Sequence, residues 1–81
     1  MKRAFTAIIE VEPDGSASAY IPDIPGCVAA AESVAETYRL INEAAAFHVE
    51  GLASSGDELP EPTSVSATVF VDIPEAVRKA S

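Results

Sequence analysis

The sequence is poor in basic residues: five lysines and arginines stand against thirteen aspartates and glutamates, which gives a formal net charge of −8. Nucleic-acid affinity comes mainly from Lys and Arg side chains that neutralise phosphates, so this balance argues against a nucleic-acid-binding surface. It suits a basic protein partner, because electrostatic fields of opposite sign speed association. The alternative is that the charge only keeps a small protein in solution.

Cysteine and large aromatic residues are also scarce. The single cysteine, Cys27, excludes an internal disulfide and a metal site made of several cysteines. Tryptophan is absent and aromatics make up 6% of the 81 residues, so the core must be built from Ile, Val, Leu and Ala. Glu10 and Glu12 interrupt the apolar run near the N-terminus, and no signal peptide or membrane span is recognisable. We therefore expect the protein in the cytoplasm.

The first third of the chain has the pattern of strands. Apolar residues recur at every second position in residues 5–11, which predicts a strand with one buried face. The turn residues at 13–16 connect it to a second strand at 17–21, so the two form an antiparallel hairpin. Residues 27–31 predict a short third strand, although their alanines would also suit a helix.

The middle of the chain has the pattern of one long helix. Ser33 followed by Glu36 is typical of a capping box at a helix N-terminus. We predict a helix over residues 34–53, with Gly56 as the stop signal. The stripe expected to face the core recurs at spacings of three and four: Val34, Tyr38, Ile41, Ala45, His48 and Leu52.

A polar loop at residues 57–66 and a final strand at 67–73 complete the prediction. The order strand, strand, strand, helix, strand indicates an α+β fold, with an antiparallel-rich sheet and one helix packed on one face. We expect residues 1–81 to form a single domain.

Residues 20–27 are the most informative stretch, with the sequence Tyr-Ile-Pro-Asp-Ile-Pro-Gly-Cys. The prolines at 22 and 25 cannot continue a central strand, because each lacks a backbone donor. They predict a rigid bend at residues 22–26 that presents Asp23 at a corner. By its residues alone, this stretch could be no more than a well-shaped turn.

The stretch resembles the hallmark of the HicB-like antitoxins, a Tyr-x-Pro-Asp-Leu/Ile-Pro-Gly-Cys run after an N-terminal hairpin. The hairpin turn at 12–15, the helix start at 33–36, and the segments 56–62 and 69–74 are also similar to that family. The resemblance implies a degenerate RNase H-like domain of β-β-β-α-β order. It also implies a protein that neutralises a small basic RNA-cleaving toxin, HicA, by covering the toxin's active surface.

Many members of that family add a C-terminal module that binds promoter DNA. Seven residues follow Pro74 here, so we expect neither this module nor direct nucleic-acid binding. We expect a homodimer or tetramer, because an open sheet leaves two edges that invite pairing, and we expect no cofactor, no metal and no catalytic residue. The residues expected to bind the toxin are Tyr20, Pro22, Asp23, Ile24, Pro25 and Gly26, with Asp23 supplying charge, Ile24 a projecting apolar contact and the others mainly shape.

Two other functions stay open. The first is a stand-alone oligomeric binding module without a toxin partner. The second is a metal-dependent RNase H-like nuclease, for which Glu10, Asp23, Glu32 and Asp72 are the available carboxylates. His48 and Cys27 are better explained as packing residues than as catalytic ones, because no second residue stands at a matching motif spacing.

Overall fold

A computed structural model describes residues 2–75, in which three strands form an antiparallel sheet of order β1-β2-β3 and one helix follows. The elements are β1 Ile8–Val11, β2 Ala17–Tyr20, β3 Val28–Ala31 and α1 Val34–Ser54. This confirms the predicted α+β class and the order of the first four elements. No helix in this part of the chain is both long enough and apolar enough to cross a membrane.

β1 and β2 form the predicted hairpin, with Ile8 paired to Tyr20. The turn is closed by the Glu12 N–H, which donates to the Ser16 carbonyl at 2.8 Å. The Asp14 carboxylate accepts from the hydroxyl and the backbone N–H of Ser16, and these bonds lower the pKa of that carboxyl. The turn is thus held by its own side chains, as expected for Asp in a short turn.

The helix begins and ends on recognisable caps. The Ser33 hydroxyl accepts from the Glu36 N–H at 3.1 Å, which confirms the predicted N-cap. At the other end, the Gly56 N–H donates to the Ala53 carbonyl, and the next N–H donates to the Leu52 carbonyl. This pair of bonds is a Schellman motif, and Gly56 takes the positive φ of 75° that it needs.

The sheet buries one face against α1 and leaves the other open. Ala17 and Ala19 of β2 are buried, while Ser18 and Tyr20, which point the other way, are exposed. Among residues 2–75, six apolar side chains are buried: Ala17, Ala19, Ile21, Ile24, Cys27 and Ile41. Three of these six are Ile24, at the middle of the bend, and Ile21 and Cys27, which flank it, so the bend is anchored in the core.

The helix face that meets the sheet agrees with the predicted stripe from Ile41 onwards, but at the start of the helix Val34 is 42% exposed. Ile41 is buried as expected, but Tyr38 is 61% exposed, and its predicted place in the core is wrong. Thr37 takes that place with no exposed surface. Its hydroxyl lies within hydrogen-bonding distance of the Ala17 carbonyl, at 3.1 Å, and of the Ser33 carbonyl, at 2.8 Å. A polar side chain can be buried here because its hydroxyl has a partner.

The predicted final strand at residues 67–73 does not join the sheet in the described chain. Val69, Phe70 and Ile73 are 79%, 93% and 72% exposed. The prediction was wrong for the single chain because an alternating pattern shows that a segment suits a sheet, not which strand it pairs with. The overall dimensions are 56 × 27 × 18 Å, with a radius of gyration of 16.5 Å, against about 12 Å for a compact domain of this length.

Candidate partner-binding site

The bend at residues 22–26 is built from two consecutive tight turns. The Ile24 N–H donates to the Ile21 carbonyl at 3.0 Å, and the Cys27 N–H donates to the Ile24 carbonyl at 3.1 Å. A proline stands at the second position of each turn, where its fixed φ is favourable. Gly26 follows Pro25 with a φ of +85°, which is the combination that a type II turn requires. The predicted bend is thus present, and a backbone hydrogen bond closes each of its two turns.

The Asp23 carboxylate binds a distant part of the same chain. One oxygen accepts from the backbone N–H groups of Thr63 and Ser64, at 2.9 and 2.8 Å. The other accepts from the two hydroxyls, each at 3.0 Å. The backbone N–H of Ser64 contributes most to lowering the pKa of Asp23. Through these bonds Asp23 holds residues 63 and 64, in the segment after the helix, beside the bend.

The N-terminal segment holds the other side of this region. The Thr6 hydroxyl donates to the Ser64 carbonyl at 3.2 Å. Arg3 donates to the Pro60 carbonyl at 2.8 Å and lies 3.5 Å from the Glu61 carboxylate. Residues 60–64 therefore run between the bend and the first residues of the chain, in the same direction as residues 3–6.

Ile24 lies inside the fold. It is 1% exposed and packs in one cluster with Ile21, Cys27, Ala19 and Ile41. The expectation that Ile24 projects towards a partner is wrong, because the two turns direct its side chain under the helix. Its contribution to the bend is burial of apolar surface.

Cys27 and His48 act as packing residues in the described structure. Cys27 is 3% exposed, and burial raises the pKa of its thiol, which disfavours the reactive thiolate. His48 is partly buried, and a Cβ added to Gly26 would lie 3.9 Å from the His48 Cε1 atom. The imidazole ring therefore lies against the bend.

The outward surface of the bend continues into the open face of the sheet. Pro22, Pro25 and Gly26 are exposed, and Tyr20, the last residue of β2, is 43% exposed. Tyr20 pairs with Ile8 on one side and with Val28 on the other. These three side chains form an apolar row across the sheet on the face opposite α1. We call this row and the bend the outer surface.

Acidic residues border the outer surface on the side of the hairpin. Glu10, Glu12 and Asp14 are exposed on the β1–β2 hairpin. On the helix, which covers the other face of the sheet, Arg39 is paired with Glu36 and Glu43, and these carboxylates raise its pKa. The outer surface therefore combines an apolar strip with an acidic border.

The four carboxylates considered for nuclease chemistry do not converge. In residues 2–75 no group of three or more His, Cys, Asp or Glu side chains is arranged to hold a metal ion. Glu10 lies on β1, Asp23 is bonded to Thr63 and Ser64, and Asp72 lies in the extended segment. The described residues thus offer no two-metal cluster of the RNase H kind.

The chain matches the family model of the "HicB_like antitoxin of bacterial toxin-antitoxin system" over residues 5–76. It belongs to the HicB-like antitoxin family. The resemblance of residues 20–27 to that family is thereby confirmed.

Two similar proteins set this HicB-like chain in context. It is 33% identical over 55 residues to an uncharacterized 14.9 kDa protein in the rep-hol intergenic region of Haemophilus phage HP1 (strain HP1c1), a match that spans 68% of this chain and 40% of the relative. Among solved structures it is similar to a chain of a HicA3 and HicB3 toxin-antitoxin complex, with 35% identity and a TM-score of 0.58. That match covers 70% of this chain and 65% of the other, so this HicB-like chain spans less than two thirds of both.

Sequence reasoning missed three residues that hold the candidate site in place: Thr37, Thr63 and Ser64. Each acts through a hydroxyl or an N–H that bonds a residue 20 to 41 positions away. No local pattern marks such a contact. The one usable signal was Asp23 itself, since a carboxylate fixed between two prolines needs donors nearby.

Proposed function

We propose that this HicB-like chain binds and neutralises a small, basic HicA-type mRNA-cleaving toxin by covering its active surface. Membership of the HicB-like antitoxin family carries this proposal. The similarity to a chain from a HicA3 and HicB3 complex supports a protein partner of the HicA kind. The antitoxin acts by binding, without a catalytic step of its own.

The outer surface is where we place the toxin. Tyr20, Pro22, Pro25 and Gly26 are exposed there, and the tyrosine offers a rigid ring with a polar end, a residue type enriched at interfaces. Asp23 supports this surface by fixing its shape, and its negative charge adds to the field that a cation meets. Ile24 contributes from the inside, by holding the bend against the core.

Charge favours such a pairing. The chain carries a net charge of −8, and an RNA-cleaving toxin needs cations to hold its phosphate-rich substrate. Opposite potentials speed the encounter and are weakened by salt. An antitoxin of this charge thus competes with RNA for the same cationic surface.

Co-purification with a HicA-type toxin encoded beside this chain tests the proposal, with RNA cleavage as the second readout. We expect a complex that cleaves RNA far more slowly than the free toxin. Tyr20→Ala should weaken binding about tenfold or more, as expected for an interface tyrosine. Tyr38→Ala is the matched control, because Tyr38 is also exposed, at 61%, but lies on the helix.

Failure of the chain to bind or inhibit the toxin contradicts the proposed function. It would leave the stand-alone oligomeric module as the better explanation. If Tyr20→Ala and Tyr38→Ala weaken toxin binding equally, the interface does not lie on the outer surface. The cytoplasmic location and the lack of direct nucleic-acid binding stay predictions from the sequence.

A further inference from the structure

Residues 65–73 form an extended arm with the pattern of a strand. Val65, Ala67, Val69, Val71 and Ile73 share one face, while the other face carries Ser66, Thr68, Phe70 and Asp72. The valines and isoleucine of the first face are 71–89% exposed. Nine residues at about 3.3 Å each extend about 30 Å. The arm thus has the alternating pattern of an amphipathic strand, but it pairs with no strand in residues 2–75.

The start of the arm is fixed to the body of the domain. Ser64, the residue before it, is held by Asp23 on one side and by Thr6 on the other. Residues 60–64 run parallel to residues 3–6. Beyond Ser64 the arm does not follow β1 of its own chain: it joins no strand of the described sheet, and its valines stay exposed.

The outer edge of β1 is a suitable acceptor. β1 pairs with β2 alone in the described sheet, so the backbone groups of its second edge are open. Ile9 of this strand is partly buried and packs against the core cluster on the helix side of the sheet. An arm paired with the edge would place its apolar face on that same side, next to Ile9.

We propose that residues 65–73 exchange between two copies of this chain, each arm completing the sheet of its partner along the outer edge of β1. Because each copy carries both an arm and an acceptor edge, a two-fold pair satisfies both and closes on itself. The exchange adds a fourth strand to each three-stranded sheet and buries the exposed apolar face. It needs no toxin, and its test is separate from that of the proposed function.

Hydrogen exchange on the full chain tests the proposal without any substitution. At a concentration where light scattering finds a dimer of the 8.4 kDa chain, the amides of residues 67–73 should be protected. Dilution to monomer should remove that protection while the amides of β2 stay protected. If the protection does not depend on concentration, each arm folds back on its own sheet. If the arm amides are unprotected in a dimer, the dimer uses a different interface. Either result overturns the proposal.

Paired substitutions give the second test. Val71→Asp places a charge on the apolar face of the arm, and we expect the dissociation constant of the dimer to rise at least tenfold. Thr68→Asp introduces the same charge on the opposite face and should leave the dimer within about twofold of the parent. Equal weakening by both, or none by either, contradicts the exchange. Circular dichroism of the diluted variants verifies that the helix is intact.

Discussion

The carboxylate of Asp23 accepts two hydrogen bonds from Ser64, one from the backbone N–H at 2.8 Å and one from the hydroxyl at 3.0 Å, although 41 positions separate the residues. Thr63 adds the same two kinds of bond. One side chain thus connects the bend after β2 to the segment after the helix. It also sets the point from which the arm leaves.

Asp23→Asn should lower the stability of the fold. The amide keeps one oxygen but replaces the other with a donor, so two of the four bonds are lost and two donors face an NH₂ group. We expect a lower midpoint in urea unfolding. Asp57→Asn is the matched control, since it removes the same charge from the exposed loop after the helix. Equal midpoints for the two variants would mean that the four bonds add nothing to stability.

The same bonds predict a pH dependence. The pKa of Asp23 in the folded chain lies below its ordinary value of 3.8, chiefly because of the Ser64 N–H. A depressed pKa gives stability that is fully present above the unfolded value and is lost as the pH falls through the folded one. The stability difference between the parent and Asp23→Asn should therefore be constant near neutral pH and shrink below about pH 4. Asp14 and Glu36 also have lowered pKa values, so only this difference isolates Asp23.

Local patterns were enough to predict the hairpin, the third strand and the helix with its caps. Each depends on residues within a few positions, such as Ser33 and Glu36 or Asp14 and Ser16. The family signature at residues 20–27 added the function class. These features could be predicted because their causes lie side by side in the chain.

Other features depend on contacts that no local pattern records. Ile24 looks like a surface residue because it stands between turn prolines, yet the chain folds its side chain under the helix. Thr37 looks unsuited to a core until its hydroxyl meets the Ala17 carbonyl. Apolar and polar residues alternate along the arm as in a strand, but this alternation does not determine which strand the arm pairs with.

Burial of Ile24 predicts a large loss of stability on truncation. Removing a fully buried isoleucine side chain to alanine costs about 2–5 kcal/mol, a large share of the total for a small domain. Ile24→Ala should therefore show a much lower unfolding midpoint in guanidinium. Val28→Ala, at a position 65% exposed on the outer face, should change stability by less than about 0.5 kcal/mol. Similar losses at both positions would contradict the packing of the bend.

Two glycines predict effects of opposite sign for the same substitution. Gly26 has a φ of +85° in the bend, where an L-residue costs about 1–2 kcal/mol. An added methyl there would meet His48 only at an ordinary distance of 3.9 Å, so the loss comes from the backbone. Gly51 lies inside α1 with open space around it, and Gly51→Ala should gain about 0.5–1 kcal/mol through helix propensity.

Denaturant unfolding of the two alanine variants separates these effects. If Gly26→Ala unfolds at a lower and Gly51→Ala at a higher midpoint than the parent, the positive φ of the bend is required in solution. Because the bend carries the outer surface, Gly26→Ala should also weaken toxin binding, whereas Gly51→Ala should not. A Gly26→Ala variant as stable as the parent would show that the second turn of the bend does not need the left-handed conformation.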